Sequence, residues 1–304
     1  MAKIHVPPIK CQGIKTKLVP LIMANVAFPE NGTWIEPFMG TAVVGLNVRP
    51  KKALFADVNP YVIAFYNALK SSDMTCQRVR SFLEKEGQNL LRYGDKHYYH
   101  IRERFNREKS PLDFLFLSRS CFNGMIRFNR KGEFNVPFCR KPGRFSRSYI
   151  TKIVNQVEYF QEALRYYDWS FVCQDFQTTI STARKSDFVY CDPPYIGRHV
   201  DYYNSWSEED EYRLCKFLSQ TKAQFILSTW HSNKYRSNET LDRIWSGFQV
   251  ITKEHFYHIG AKQENRNSIL EAFVMNFEPP CKKLPDVNTS QLTLFERIPQ
   301  FVQK

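Results

Sequence analysis

The chain has 304 residues, 43% of them apolar, and a formal net charge of +13. This length supports one sizeable core plus a smaller module, and no apolar run is long enough to span a membrane or leads the chain as a secretory signal. The charge favours a polyanionic partner through counterion release, although a basic soluble enzyme without such a partner carries the same signature.

In chain order, Lys10-Cys11-Gln12-Gly13-Ile14-Lys15 places two amines around a glycine. Such a segment can take a carboxylate; a flexible basic end is the competing reading. Thr33-Trp34-Ile35 reads as a short apolar strand that turns at Glu36-Pro37-Phe38-Met39-Gly40. Ala53-Leu54-Phe55-Ala56 reads as a second strand ending in Asp57, and Asn59-Pro60 opens a helix. Residues 71–168 read as mostly helical around one irregular, basic stretch. There Arg119, Arg127, Arg130, Lys131, Arg140, Lys141, Arg144, Arg147 and Lys152 face a single acid, Glu133. Asn129-Arg130-Lys131-Gly132 predicts a turn between Ile126-Arg127-Phe128 and Glu133-Phe134-Asn135-Val136, hence a β-hairpin. From 169 to 278 the α/β pattern returns. Asp187 to Cys191 is a buried-type strand, Ser207 caps a helix to Leu218, and strands follow at 225–228 and 272–275. Beyond Pro279-Pro280 the composition is that of a polar, loosely ordered tail. The eight cysteines form no C-x-x-C pair, which argues against a zinc site and for free thiols in a reducing cytoplasm.

The buried strand stops at Asp192-Pro193-Pro194-Tyr195. Ligands of open α/β sheets bind outside the carboxyl ends of the strands, which is where Asp192 would sit. Two prolines fix the backbone so that carbonyls point outward, and Tyr195 adds a flat face. A carboxylate and a carbonyl, each accepting one N–H, suit a planar amine such as that of adenine. They hold it as it becomes tetrahedral, and its proton leaves only after methyl transfer. The base must first leave the duplex. An ordinary strand-ending turn is the alternative, because Asp-Pro commonly opens turns.

Asp57 lies 21 residues after Glu36, the spacing at which nucleotide-binding folds place a ribose-binding acid. The loop after the first strand lacks G-x-G-x-x-G, which favours a cofactor without phosphates, such as S-adenosylmethionine, over a dinucleotide.

Together these segments resemble the Dam-type (D12 class) adenine-N6 DNA methyltransferases over Val6 to Asn276. The stretch from Ser118 to Asn129 (SRSCFNGMIRFN), with Gly132 to Phe138 (GEFNVPF), carries much of the resemblance, as do Pro7-Pro8-Ile9-Lys10, Gln12 to Pro20, Glu36 to Gly40 and Tyr190 to Tyr202. The resemblance implies a Rossmann-like S-adenosylmethionine-dependent fold. Residues 1–70 and 169–278 would form the catalytic domain, and 71–168 an inserted, mostly helical target-recognition domain with its hairpin; 279–304 is the tail. It implies that Lys10, Cys11 and Lys15 meet the methionine part of the cofactor, that Glu36, Phe38 and Gly40 form the loop beside it, that Asp57 holds the ribose, and that Asp175-Phe176 contacts the cofactor adenine. Asp192, Pro193, Pro194 and Tyr195 would hold the target adenine, with Asp192 also touching the cofactor. Cys11 stands where the family usually carries Trp, and Ile14 where it carries a second Gly.

The same resemblance puts Arg119, Asn123, Arg127 and Asn129 in the DNA-reading hairpin. Arg127 suits a guanine edge, while Arg130, Lys131, Arg140, Lys141, Arg144 and Arg147 suit phosphates. Phe122 and Met125 are candidate wedges for the gap left by a flipped base, with core packing preferred for Phe122. A GATC-like or GATATC site in double-stranded DNA, read by a monomer and protected from a cognate nuclease, completes the implied picture. Another amine as acceptor (cytosine, an RNA base, a protein glutamine) and a silent DNA-binding protein are the alternatives. Asn265, Arg266 and Glu271 match a late family pattern whose role the sequence leaves open. In the tail, Gln291-Leu292-Thr293-Leu294-Phe295 reads as a peptide docking on a replication sliding clamp through Gln291, Leu292, Leu294 and Phe295, or as an apolar strip folding back on its own domain.

Overall fold

A computed structural model describes residues 3–11, 13–26, 31–196, 206–256 and 268–280. The N-terminal segment leads into α1 (Val19–Asn25), β1 (Trp34–Glu36), α2 (Val43–Val48), β2 (Lys52–Asp57) and α3 (Pro60–Lys70). Four helices follow: α4 (Cys76–Tyr93), α5 (Asp95–Glu108), α6 (Pro111–Ser120) and α7 (Arg147–Tyr166). The chain then returns through β3 (Asp168–Cys173), α8 (Phe176–Ser181), β4 (Phe188–Cys191), α9 (Glu208–Gln220), β5 (Gln224–Asn233), α10 (Glu239–Ile244), β6 (Gln249–Phe256) and β7 (Ser268–Met275). Local chemistry starts these helices where the sequence predicts. The Asn59 side chain accepts from the Tyr61 and Val62 amides, and Ser207 and Asp210 form a reciprocal capping box on α9.

The described strands form one seven-stranded sheet in the order β3-β2-β1-β4-β5-β7-β6. β7 runs antiparallel to β5 and β6, and the other pairings are parallel. This is a Rossmann-like methyltransferase fold. The order reverses between β1 and β4, so the carboxyl ends of these two strands open a crevice at the switch point. Asp192 follows β4 directly, and Glu36 ends β1.

Alternation along the strands divides the core between the two faces of the sheet. Trp34, Phe188, Tyr190, Ile226, Phe273 and Met275 face one cluster; Ile35, Val189, Cys191, Phe225, Leu227, Ala272 and Val274 face the other. The first cluster continues without a break into α3 to α7, so residues 71–168 pack on the sheet through a shared apolar core. Inside it, Arg104 joins Asp113 through two bonds of 2.9 and 2.5 Å and reaches Glu86 on α4, tying three of the helices together.

The predicted hairpin forms in outline only. Hydrogen bonds link Ser120 to Cys139, Phe122 to Pro137, Arg127 to Asn135 and Asn129 to Glu133. The ladder is reduced to isolated bridges at Cys121–Phe138 and Phe128–Phe134 rather than the two strands expected. A short 3-10 turn at Phe122–Gly124, with Asn123 at φ 54° and Gly124 at φ 68°, breaks the extended run. Aromatic packing replaces the missing ladder. Phe128 stacks on Tyr61 at 4.8 Å, and Phe134 packs edge-on against both Phe128 and Phe105.

Candidate functional site

At the end of β4 the structure brings together four residues from three distant parts of the sequence. Lys15 Nζ donates to Asp192 Oδ1 at 2.7 Å and lies 4.9 Å from the centre of the Tyr195 ring. Lys15 is 5% exposed, so the contact is drawn from the interior side of the crevice. Tyr195 in turn donates its hydroxyl to Glu271 Oε2 at 2.8 Å. Glu271 is fully buried on β7, opposite Trp230 of β5. A buried carboxylate therefore sets the ring of Tyr195, and a buried ammonium sets Asp192.

A second group of side chains gathers at the carboxyl ends of β1 and β2. Asp57 accepts from the Gly40 amide and the Asn59 amide, both at 2.9 Å, and its burial raises its pKa. Gly40 has φ 46°, and a side chain added there would project into open space beside Asp57. Phe38 stacks on Phe176 at 5.5 Å, and Trp206 closes edge-on against both at 5.4 and 5.6 Å. A strand-end acid, an aromatic wall and a nearby ammonium fit a cofactor with a ribose, a purine and a carboxylate. Asp175 is exposed and caps α8 through the Thr178 amide.

Residues 12–259 match the D12 class N6 adenine-specific DNA methyltransferase family. The chain belongs to this family. It is 33% identical over 236 residues to the DNA adenine methylase of Serratia marcescens, covering 74% of this chain and 82% of that one. It is 28% identical over 279 residues to the DNA adenine methylase of Vibrio cholerae, covering 88% and 94%. The Type II methyltransferase M.FokI of Planomicrobium okeanokoites is 29% identical over 283 residues, and there the match covers 89% of this chain but 42% of the relative. The protein is an adenine-specific DNA methyltransferase, and its methyl donor is S-adenosylmethionine.

In this methyltransferase Glu36 takes an interior place rather than facing a ligand freely. It is 2% exposed, and its Oε1 accepts from Trp34 Nε1 at 2.8 Å and the Gly45 amide at 2.7 Å. Burial, the largest cause, pushes its pKa up to about 8; the two hydrogen bonds oppose this and the Asp192 charge adds to it. Below the unfolded value both states are protonated. Between the unfolded value and about 8 only the folded state keeps the proton, so stability falls as pH rises through that window, by at most about 1.4 kcal/mol per unit. Glu36→Gln keeps an oxygen for both donors. We expect it to flatten that decline in denaturant titrations between pH 5 and 8, roughly the window named above.

Several members of the predicted DNA set are spent inside the protein. Arg119 is 6% exposed; it donates to the Pro7 and Pro8 carbonyls and to Gln156, so it fastens the N-terminal segment and is unavailable to a base. Asn129 accepts from the Lys131 and Glu133 amides and donates to the Glu133 carboxylate, which makes it the turn's internal brace. Arg144 donates to the Arg119 carbonyl and to the Tyr149 hydroxyl, above the Tyr149 ring. Arg127 donates to Asn135 at 2.9 Å from a half-buried position. Asn123, Arg130, Lys131, Arg140, Lys141 and Arg147 are exposed. Phe122 is 50% exposed and lies outside the core, contrary to the packing role preferred from sequence. The alkyl chain of Lys10 fills the space over Gly124, which places the hairpin beside the N-terminal segment and Cys11 in a half-buried position next to it.

Sequence reasoning missed Trp206, which immediately precedes the Ser207 cap. Its Nε1 donates to Glu211 at 2.7 Å, and the same buried carboxyl accepts from Trp245 at 2.8 Å. A large apolar residue just before a helix cap usually packs on the first turn, and that was the available signal. Asn265, Arg266, the segment beyond Ile196 up to Tyr202, and the clamp-like Gln291, Leu292, Leu294 and Phe295 lie outside the described residues. Among the described residues, no group of side chains could hold a metal, and no helix is long and apolar enough to cross a membrane.

Proposed function

We propose that the chain methylates one adenine within a short specific site in double-stranded DNA, after that base swings out of the helix. The observation that carries this reading is the Lys15–Asp192–Tyr195–Glu271 chain of contacts at the carboxyl end of β4. Asp192 and the Pro193 carbonyl accept the two amine protons, and Tyr195 stacks on the base. Lys15 takes the carboxylate end of the cofactor, Asp57 its ribose hydroxyls, and Phe38 with Phe176 its purine. The cofactor supplies an electrophilic methyl group; the protein aims the amine at it and lets the proton go afterwards.

Residues 71–168 serve as the DNA-reading region, and 1–70 with 169–278 as the catalytic one. Arg127 reads a guanine edge from the hairpin, and Phe122, projecting from its turn beside Asn123, fills the gap in the stack. Arg130, Lys131, Arg140, Lys141 and Arg147 meet phosphates. A GATC-like or GATATC target, in a system that protects DNA from a partner nuclease, is the reading favoured for biology; the M.FokI relative is a Type II methyltransferase. Methylation-sensitive sequencing of DNA from cells expressing the chain tests all of this. N6-methyladenine at one short motif is the expected result. Modified cytosine, or unmodified DNA with a folded product present, rejects the proposal.

A further inference from the structure

β5 does not stop where its neighbour does. Its register with β4 pairs Cys191 with Leu227, so Asp192 is level with Ser228. The strand then runs on to Asn233; with one residue bulged between Trp230 and Ser232 it advances four partner positions, which at about 3.3 Å each raises its end roughly 13 Å above the level of Asp192. There the chain doubles back in a tight loop. Asn233 Oδ1 accepts from the Tyr235 and Arg236 amides, and the Asn233 amide donates to the Arg236 carbonyl. Ser232 and Ser237 form an antiparallel bridge, and Asn238 fastens the base of the loop by donating to the Trp230 and His231 carbonyls. The tip carries Lys234, Tyr235 and Arg236, all exposed, with Tyr235 at 76%. No acid occurs between Thr229 and Ser237.

The position of this loop gives the charge a use. The basic hairpin lies on the other flank of the crevice, because Tyr61, in the first turn after β2, donates to the Gly132 carbonyl and stacks on Phe128. From β2 to β5 is three strand spacings, about 14 Å, so the loop and the hairpin's anchor at Tyr61 stand on opposite sides of the Asp192 end of β4. We infer that the Lys234-Tyr235-Arg236 loop is a second DNA-contacting surface, a wall opposite the hairpin that grips the phosphates next to the extruded nucleotide. Lys234 and Arg236 supply the charge, and Tyr235 packs on the sugar. Arg236 is already oriented, with its guanidinium 5.1 Å from the Trp230 ring. The inference rests on duplex DNA being the substrate.

The test is binding of a fluorescent duplex, followed by anisotropy over a range of salt concentrations, with wild type, Lys234→Ala, and Lys234→Ala/Arg236→Ala. Each lost phosphate contact lowers the slope of log affinity against log salt by about 0.9. We therefore expect a fall of about 0.9 for the single variant and nearly twice that for the double. The Kd should rise roughly tenfold in the double variant, with cofactor affinity and kcat at saturating DNA unchanged. The guanidinium on the Trp230 ring is that of Arg236, so the single Lys234 variant removes a charge and leaves that contact in place. Equal slopes and affinities in all three proteins overturn the second surface. Absence of salt-dependent duplex binding by the wild type would overturn the duplex reading itself.

Discussion

Asp192→Ala is expected to abolish methyl transfer, lowering kcat by about 10³-fold or more, while duplex binding survives. Removing a single well-placed partner of a developing charge costs other enzymes 10²- to 10³-fold, and in the proposed mechanism Asp192 serves the amine directly. Its loss also leaves the Lys15 ammonium, 5% exposed, without the partner it holds at 2.7 Å. A buried charge that loses its partner is strongly penalised, so the alanine variant should also show a lower unfolding midpoint. Asp192→Asn separates the two effects. It retains shape and one acceptor but no charge, and should recover most of the stability and little of the rate. The readouts are transfer of labelled methyl groups, DNA anisotropy and thermal unfolding. Methylation of adenine by Asp192→Ala at near-normal rate would sink the mechanism.

The second large effect is expected at Glu271. This residue touches no substrate in the proposed mechanism and acts through Tyr195, so it is a positioning residue. Glu271→Ala removes the acceptor of the Tyr195 hydroxyl and leaves a gap at a fully buried point of β7. A fall in kcat of about 10- to 100-fold is expected from the misplaced ring, with a stability loss of about 1–3 kcal/mol. Cofactor affinity should hold, because the bond lost is the one to Tyr195, whereas the proposed cofactor contacts are made by Lys15, Asp57, Phe38 and Phe176. Glu271→Gln keeps an acceptor at the same place and should restore most of kcat. If the glutamine variant is as slow as the alanine variant, the orientation of Tyr195 is not what Glu271 provides.

What was legible in the sequence follows from which signals are local. Asp192 could be found because four buried residues, Phe188 to Cys191, end abruptly in polar and proline residues. Asp57 could be found because strand, turn and strand have a nearly fixed length. β3 and β6 were not read. β3 alternates, with Trp169 and Phe171 inward, but it follows α7 after the single residue Tyr167, with no turn residue to mark its start, while β6 is an edge strand carrying Lys253 and Glu254 among its apolar residues. Glu271 could be named but not explained, because its partner is 76 residues away and only the sheet brings them together. Arg119 was misassigned because a buried arginine and a solvated one look alike in a basic stretch. The signal lay in its helix. Phe114-Leu115-Phe116-Leu117 gives α6 an apolar turn on every side just before Arg119, and Asp113 to Ser120 are all buried.

The N-terminal segment has a consequence for how the protein is made. Asn47 donates to the His5 carbonyl, the His5 ring stacks on Tyr159 at 3.4 Å, and Arg119 holds Pro7 and Pro8. The segment that delivers Lys15 is thus synthesised well before two of its anchors, Arg119 and Tyr159, which lie more than a hundred residues downstream. At ordinary elongation rates, roughly 5–20 residues per second, some ten to thirty seconds pass before Tyr159 has been made. Contacts of such long sequence separation also form late in folding. Lys15 therefore waits for partners made long after it, and no nascent fragment that ends before Asp192 can form the Lys15–Asp192 contact.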